Sequence, residues 1–282
     1  MSLDRLEDLA YLLIKKSVTT LPDDVKLSLR KALSSEKSEV GRKQLETILL
    51  NIELAEAEEL PLCQDTGLFS FYIDLDPRVY DPLKVKKVLV EALRRATIEI
   101  PLRPNAVHPL TRENSGDNVG LGIPYFEWTF NREGYLELTV APKGAGSENM
   151  TKLAMLPPHA GLKGIIKFVV DSVVQAGGAP CPPTVLGVGV GGLAEEALKL
   201  AKQALLRPLG QPNPDPELRR LEALLLEKVN ETGVGPMGLG GSVTALAVHV
   251  NYAHTHTASL PVALAFQCWA TRRATLRVEG SP

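Results

Sequence analysis

The sequence predicts an α+β fold: a helical N-terminal region, then mixed and antiparallel sheets flanked by helices. Three observations predict it. Apolar residues recur at helical spacing through the first sixty positions, the apolar period changes to two just after Cys63, and helical and alternating stretches then share the rest of the chain. The 282 residues suffice for a sizeable core, and we read one continuous domain with residues 1–60 as the helical region and 61–282 as the region that carries the chemistry.

The elements follow in order. Leu3, Leu6, Leu9, Leu12 and Leu13 mark a first helix; Thr20, ahead of Pro22 and Asp23, reads as the N-cap of a second; residues 40–59 carry a third amphipathic run. Phe69, Phe71, Ile73 and Leu75 then alternate as on a half-buried strand, and 81–99 returns to a helical pattern. Strands are expected at 125–130 and 135–140. Asn131-Arg132-Glu133-Gly134 between them reads as a hairpin loop, with antiparallel pairing across it. Further helices are expected at 158–175, 193–206 and 216–231, and short strands at 185–190, 244–250 and 274–278.

Composition excludes several classes of function. A net charge of −2, with basic and acidic residues interspersed, offers no footprint for nucleic acid. The longest apolar stretches, such as 243–250 and 260–266, are too short to span a bilayer, and Met-Ser-Leu-Asp-Arg has no signal-peptide organisation. The expected compartment is the cytoplasm. There thiols stay reduced, and three cysteines, Cys63, Cys181 and Cys268, cannot all pair within the chain. Two readings remain open. They are buried core thiols, or they are soft ligands, and three thiolates on one cubane cluster would leave an iron open to substrate.

The irregular stretches hold the reactive groups. Cys63-Gln64-Asp65-Thr66-Gly67 puts a thiol, an amide and a carboxylate in one turn. Arg103, between Leu102 and Pro104, can clamp a carboxylate with its planar guanidinium, and the polar run 111–118 continues that loop. Lys143-Gly144-Ala145-Gly146-Ser147 follows a strand and opens an expected helix, an arrangement able to receive an anion. Cys181 is presented from a stiff segment, Gly-Gly-Ala-Pro-Cys-Pro-Pro. Gly187-x-Gly189-x-x-Gly192 matches a dinucleotide fingerprint, but no acidic strand end follows about twenty residues later. Near the C-terminus, His254 and His256 precede Cys268 on one strand-like segment, so a zinc site, a proton shuttle and a satisfied structural histidine are all open readings for His256.

Taken together and in order, Cys63-Gln64-Asp65-Thr66-Gly67, the 103–118 loop, Gly144-x-Gly146-Ser147, Cys181-Pro182-Pro183 and His256-Thr-Ala-Ser-Leu-Pro261 with Cys268 resemble the class I fumarate hydratase and tartrate dehydratase family. The resemblance runs from about residue 40 to the end. It implies a [4Fe–4S] cluster on Cys63, Cys181 and Cys268, with Gln64, Arg103 and Gly146 binding substrate and Asp65 with His256 as an acid–base pair. It further implies reversible hydration of fumarate to (S)-malate, with tartrate dehydration as the close alternative. A nucleotide-binding oxidoreductase and a structural zinc or thiol subunit are the distant ones. Because the chain stops at Pro282, it resembles the α subunit of the two-subunit type, which implies a β subunit completing the site in an α2β2 assembly.

Overall fold

A computed structural model of the chain describes residues 3–279; the side chains of Leu3 and Asp4 lie outside the described set, so Leu3 as a member of the first apolar stripe does too. In chain order the elements are α1 (Leu3–Thr19), α2 (Asp23–Ser35), α3 (Glu39–Ala57), β1 (Leu68–Leu75), α4 (Pro82–Glu99), β2 (Tyr125–Phe130), β3 (Tyr135–Lys143), α5 (Ala145–Glu148) and β4 (Lys152–Leu156). They continue with α6 (Gly161–Ala176), β5 (Thr184–Val190), α7 (Ala194–Ala204), α8 (Pro216–Asn230), β6 (Ala245–Tyr252), β7 (Leu260–Gln267) and β8 (Ala274–Glu279). Short 3-10 turns occupy Pro158–Ala160 and Pro236–Gly238. Among the described residues no helix is long and apolar enough to cross a membrane.

Two compact units result. One is built from residues up to 22, 51–145 and from 272 on; the other from 23–50 and 146–271. The first unit holds a four-stranded sheet in the order β2-β1-β3-β8. Its strands β1 and β3 alternate strictly between buried and half-buried positions, because helices cover one face only. Phe69, Phe71, Ile73 and Leu75 of β1 and Leu136, Leu138 and Val140 of β3 pack there against Leu6, Ala10 and Ile14 of α1 and Leu89, Ala92 and Leu93 of α4. Helix α4 starts where its sequence says it should: Asp81 accepts a hydrogen bond from the Leu83 N–H, and Pro82 opens the first turn.

The 125–140 hairpin is corrected. β2 and β3 do not pair with each other; β1 lies between them, parallel to β2 and antiparallel to β3. The 131–134 loop instead passes round the end of β1. Asp76 fixes it there, accepting from the Gly134 N–H at 3.0 Å and from the backbone N–H and Nε of Arg78, while Asn131 N–H donates to Leu75 O. Stacking of Phe71 on Phe126, with ring centroids 5.4 Å apart, favours the nonlocal β1–β2 pair. Thr20 is also corrected: its N–H closes α1 on Lys16 O, and α2 starts three residues later at Asp23.

The second unit has a sheet of order β4-β7-β5-β6, with β5 parallel to β6 and antiparallel to β7. Its central strands are buried almost end to end because helices cover both faces. Leu186, Val188, Val262, Leu264 and Phe266 pack on Ile165, Val169 and Val173 of α6 and Leu225 and Val229 of α8. On the opposite face α7 lies so close that a Cβ at Gly187 or Gly189 would stand 2.0 Å from Ala201 O or Ala197 O. The G-x-G-x-x-G pattern is therefore a packing seam between a strand and a helix. Strand β4 lies outside the elements expected from the sequence, β7 occupies Leu260–Gln267 of the strand-like segment that precedes Cys268, and the helix expected after Lys143 is the single turn α5.

Candidate active site

Two separate groupings of candidate residues form, one in each unit. In the first unit, the turn between α3 and β1 carries Cys63, Gln64 and Asp65. Its approach is tied down by the Leu62 N–H on Val18 O at 2.9 Å and by Asn51 Nδ2 on Leu62 O at 2.9 Å. Asp65 is held at both oxygens: Oδ1 accepts from the Gly67 N–H at 3.0 Å and Oδ2 from the Ala145 N–H at 2.7 Å. The N–H that the sequence offered to an external anion thus receives an internal carboxylate. Gly144 makes this approach possible, since a Cβ there would stand 3.0 Å from Asp65 Oδ2.

Arg103 joins this grouping through its backbone. Its N–H donates to Thr66 Oγ1 at 3.1 Å and its carbonyl accepts from Asn118 Nδ2 at 3.0 Å. Asn118, fully buried at φ +58°, also accepts the Asn105 N–H, and Asn105 Nδ2 reaches Gly67 O at 3.2 Å. The 103–118 loop is therefore laced to the turn after Asp65, while the guanidinium of Arg103 stays exposed, without a hydrogen-bond or ion-pair partner among the described residues. A fixed backbone carrying an uncommitted, exposed guanidinium is suited to an incoming carboxylate.

In the second unit, Cys181 and Cys268 come together. The Trp269 N–H donates to Cys181 O at 3.1 Å, so the loop before β5 and the loop after β7 meet at the backbone of Cys181 and of the residue that follows Cys268. Cys181 has φ +52°, its N–H closes a turn on Gly178 O at 3.0 Å, and Pro182 O accepts from the Met237 N–H at 2.7 Å. Cys268 Sγ faces Ala270 O at 3.6 Å. Each of the three cysteines is half-buried and none is in a disulfide. Gly146 is exposed, and a Cβ there would stand 3.0 Å from Ala179 O, two residues before Cys181.

His256 lies elsewhere in this unit. It precedes β7 and Cys268 follows it, so a strand of eight residues, roughly 26 Å long at about 3.3 Å each, lies between them along the chain. Its Nδ1 accepts the Ala258 N–H at 3.1 Å, which leaves the neutral ring's proton on Nε2. Among the described residues, no three His, Cys, Asp or Glu side chains gather as ligands of a single metal ion.

The family model described as Fumarate hydratase (Fumerase) matches residues 7–277. The chain belongs to this family. Across 281 residues it is 46% identical to a Methanocaldococcus jannaschii chain provisionally named L(+)-tartrate dehydratase subunit alpha, covering 98% of each. It is 34% identical over 264 residues to L(+)-tartrate dehydratase subunit alpha of Escherichia coli K12, covering 93% of this chain and 86% of that one. It is 37% identical to a Geobacillus stearothermophilus chain provisionally named fumarate hydratase class I, covering 98% of this chain but 55% of that relative. Hydratase and dehydratase are hydro-lyase names, and this member of the fumarate hydratase family is a hydro-lyase chain.

One residue of this family member escaped the sequence reading. Arg272 is 2% exposed, and its Nε and Nη1 have no hydrogen-bond partner among the described residues. Its Nη2 lies 3.6 Å from the point where a Gly144 Cβ would be, the same point that Asp65 Oδ2 approaches to 3.0 Å. A buried guanidinium and a fixed carboxylate of the first unit thus approach one point beside Gly144. The only sequence signal was an arginine pair four residues after Cys268.

Proposed function

We propose that this chain is the α subunit of an iron–sulfur hydro-lyase acting on a four-carbon dicarboxylate, reversibly converting fumarate and water to (S)-malate. The observation that carries the reading is the Trp269–Cys181 hydrogen bond, which brings two reduced, half-buried thiols onto adjoining loops. The donor chemistry fits a cluster better than a single ion. Each iron of a cluster takes its own soft thiolate, and none of the three half-buried cysteines is committed to a disulfide. Cys63, Cys181 and Cys268 would hold the group. When bound, it supplies a Lewis-acidic iron with an open position for a hydroxyl and a carboxylate oxygen.

The chain's own residues do the rest. Arg103 takes a substrate carboxylate, Gln64 offers an amide from the neighbouring position, and Gly146 presents backbone to the substrate. Asp65, oriented by two N–H donors, keeps lone pairs on both oxygens to exchange a proton with the departing or entering hydroxyl. His256 is its proposed acid–base partner by resemblance alone, and its place at the far end of β7 makes its variant the sharpest check on that pairing. A β subunit in an α2β2 assembly would supply the group that takes the C–H proton. L(+)-tartrate is the second reading, favoured by the names of the two relatives that share most of their length with this chain.

Anaerobic reconstitution tests the cluster. The wild-type chain should bind about four irons and absorb near 400 nm, and Cys181→Ser should lose both. Unchanged iron in a folded Cys181→Ser chain would sink the ligand assignment. Co-expression with the neighbouring gene's product, followed by paired assays of fumarate and L-tartrate, decides the substrate. Substantial turnover by the loaded chain alone would overturn the proposed division between subunits.

A further inference from the structure

Residues 233–243 contain five glycines and take no part in the chemistry proposed above. The stretch folds back on itself, with the Gly240 N–H on Val234 O at 2.9 Å and the Gly235 N–H on Thr244 Oγ1 at 3.1 Å. Its tip touches the loop of the second cysteine. Met237, at φ +55°, donates its N–H to Pro182 O at 2.7 Å, and Gly238 packs on Gly178, the residue whose carbonyl receives the Cys181 N–H.

The base of this loop is gripped by one carboxylate. Glu36, in the turn between α2 and α3 and 3% exposed, accepts from the Ser242 N–H at 2.9 Å, the Ser242 hydroxyl at 3.1 Å, the Ser38 N–H at 2.8 Å and the Val243 N–H at 2.9 Å. Gly241, at φ +153°, leaves room for it, since a Cβ there would come within 2.8 Å of Glu36 Oε2. No Lys or Arg among the described residues pairs with this carboxylate. Burial pushes its carboxyl up, and the N–H groups of Ser242, Ser38 and Val243 outweigh that, holding it below the usual range. A buried charge bonded only by neutral donors grips its loop strongly, because each donor it loses leaves that charge less compensated.

We propose that Glu36 is a positioning residue for Cys181: it clamps the 233–243 loop, which through Met237 and Gly238 fixes the backbone from which the Cys181 thiol is presented. Only the consequence for a cluster rests on the function proposed above; the positioning itself does not.

Alkylation of the reduced, metal-free full chain by iodoacetamide, read at each cysteine by peptide mass, tests this. In Glu36→Gln, an amide nitrogen faces backbone donors, so Cys181 should react at least about fivefold faster while Cys63, in the other unit, changes less than about twofold. Hydrogen exchange should quicken in the peptides around Met237 and Cys181, with helix content unchanged. Ser242→Ala removes one hydroxyl donor only and should move Cys181 in the same direction by about twofold, which keeps the test alive if Glu36→Gln does not fold. An unchanged or slower Cys181 in the folded variants, or an equal rise at Cys63, would overturn the proposal. Iron retained by Cys181→Ser would instead fail the cluster reading and leave the alkylation result standing.

Discussion

The two units solve the same problem, a four-stranded sheet that needs cover, in different ways. In the first, α1 and α4 cover one face and the strands alternate; in the second, α6 and α8 cover one face, α7 the other, and β5 and β7 are buried nearly throughout. The difference teaches where sequence variation is cheap. A residue on the open face of β1 has room, whereas α7 tolerates no side chain at Gly187 or Gly189.

The largest expected effect breaks that contrast directly. Gly189→Val would drive a side chain into Ala197 O and should cost about 4 kcal/mol or more in urea unfolding, while Ser70→Val on the open face should stay within about 0.5 kcal/mol. Equal costs would show that α7 can move away from the sheet.

A smaller effect separates the units by their carboxylate clamps. The Arg78 guanidinium and the Gly134 N–H hold the Asp76 carboxyl well below its usual range despite burial. A depressed carboxyl contributes stability above its unfolded value near 3.9 and loses it as pH falls below that value. The stability gap between wild type and Asp76→Asn should therefore be full at pH 7 and narrow progressively below about pH 4. A gap of the same size at pH 2.5 would mean the clamp does not act through charge. The smallest effect concerns the open face itself. Thr139 and Thr275 share a hydroxyl hydrogen bond of 2.8 Å across β3 and β8, and Thr139→Ala should cost about 0.5 kcal/mol.

These contrasts also explain what the sequence made legible. Helices α4 and α8 were readable because each begins Asp-Pro, where the Asp side chain caps the first turn and Pro needs no donor. The alternation of β1 was readable because one face is open. The pairing of β2 was not, since a four-residue loop with a glycine looks like a hairpin until a third strand enters between its arms. β4 was too short to show a period. Among the candidate residues, the cysteine and aspartate turns announced themselves by composition, but the approach of Asp65 and Arg272 to one point beside Gly144 forms across more than two hundred residues of chain. For His256 the twelve positions to Cys268 gave no hint of the eight-residue strand that lies between them along the chain.

The backbone at Cys181 sits in the left-handed region, where glycine and asparagine are at ease and cysteine is not. Under the cluster role proposed for Cys181, folding and chemistry pull this position in opposite directions. A breeding scheme that rewards only heat resistance or soluble yield would drift toward glycine there, improving the fold while discarding the sulfur, and its best-behaved survivors would be the inert ones.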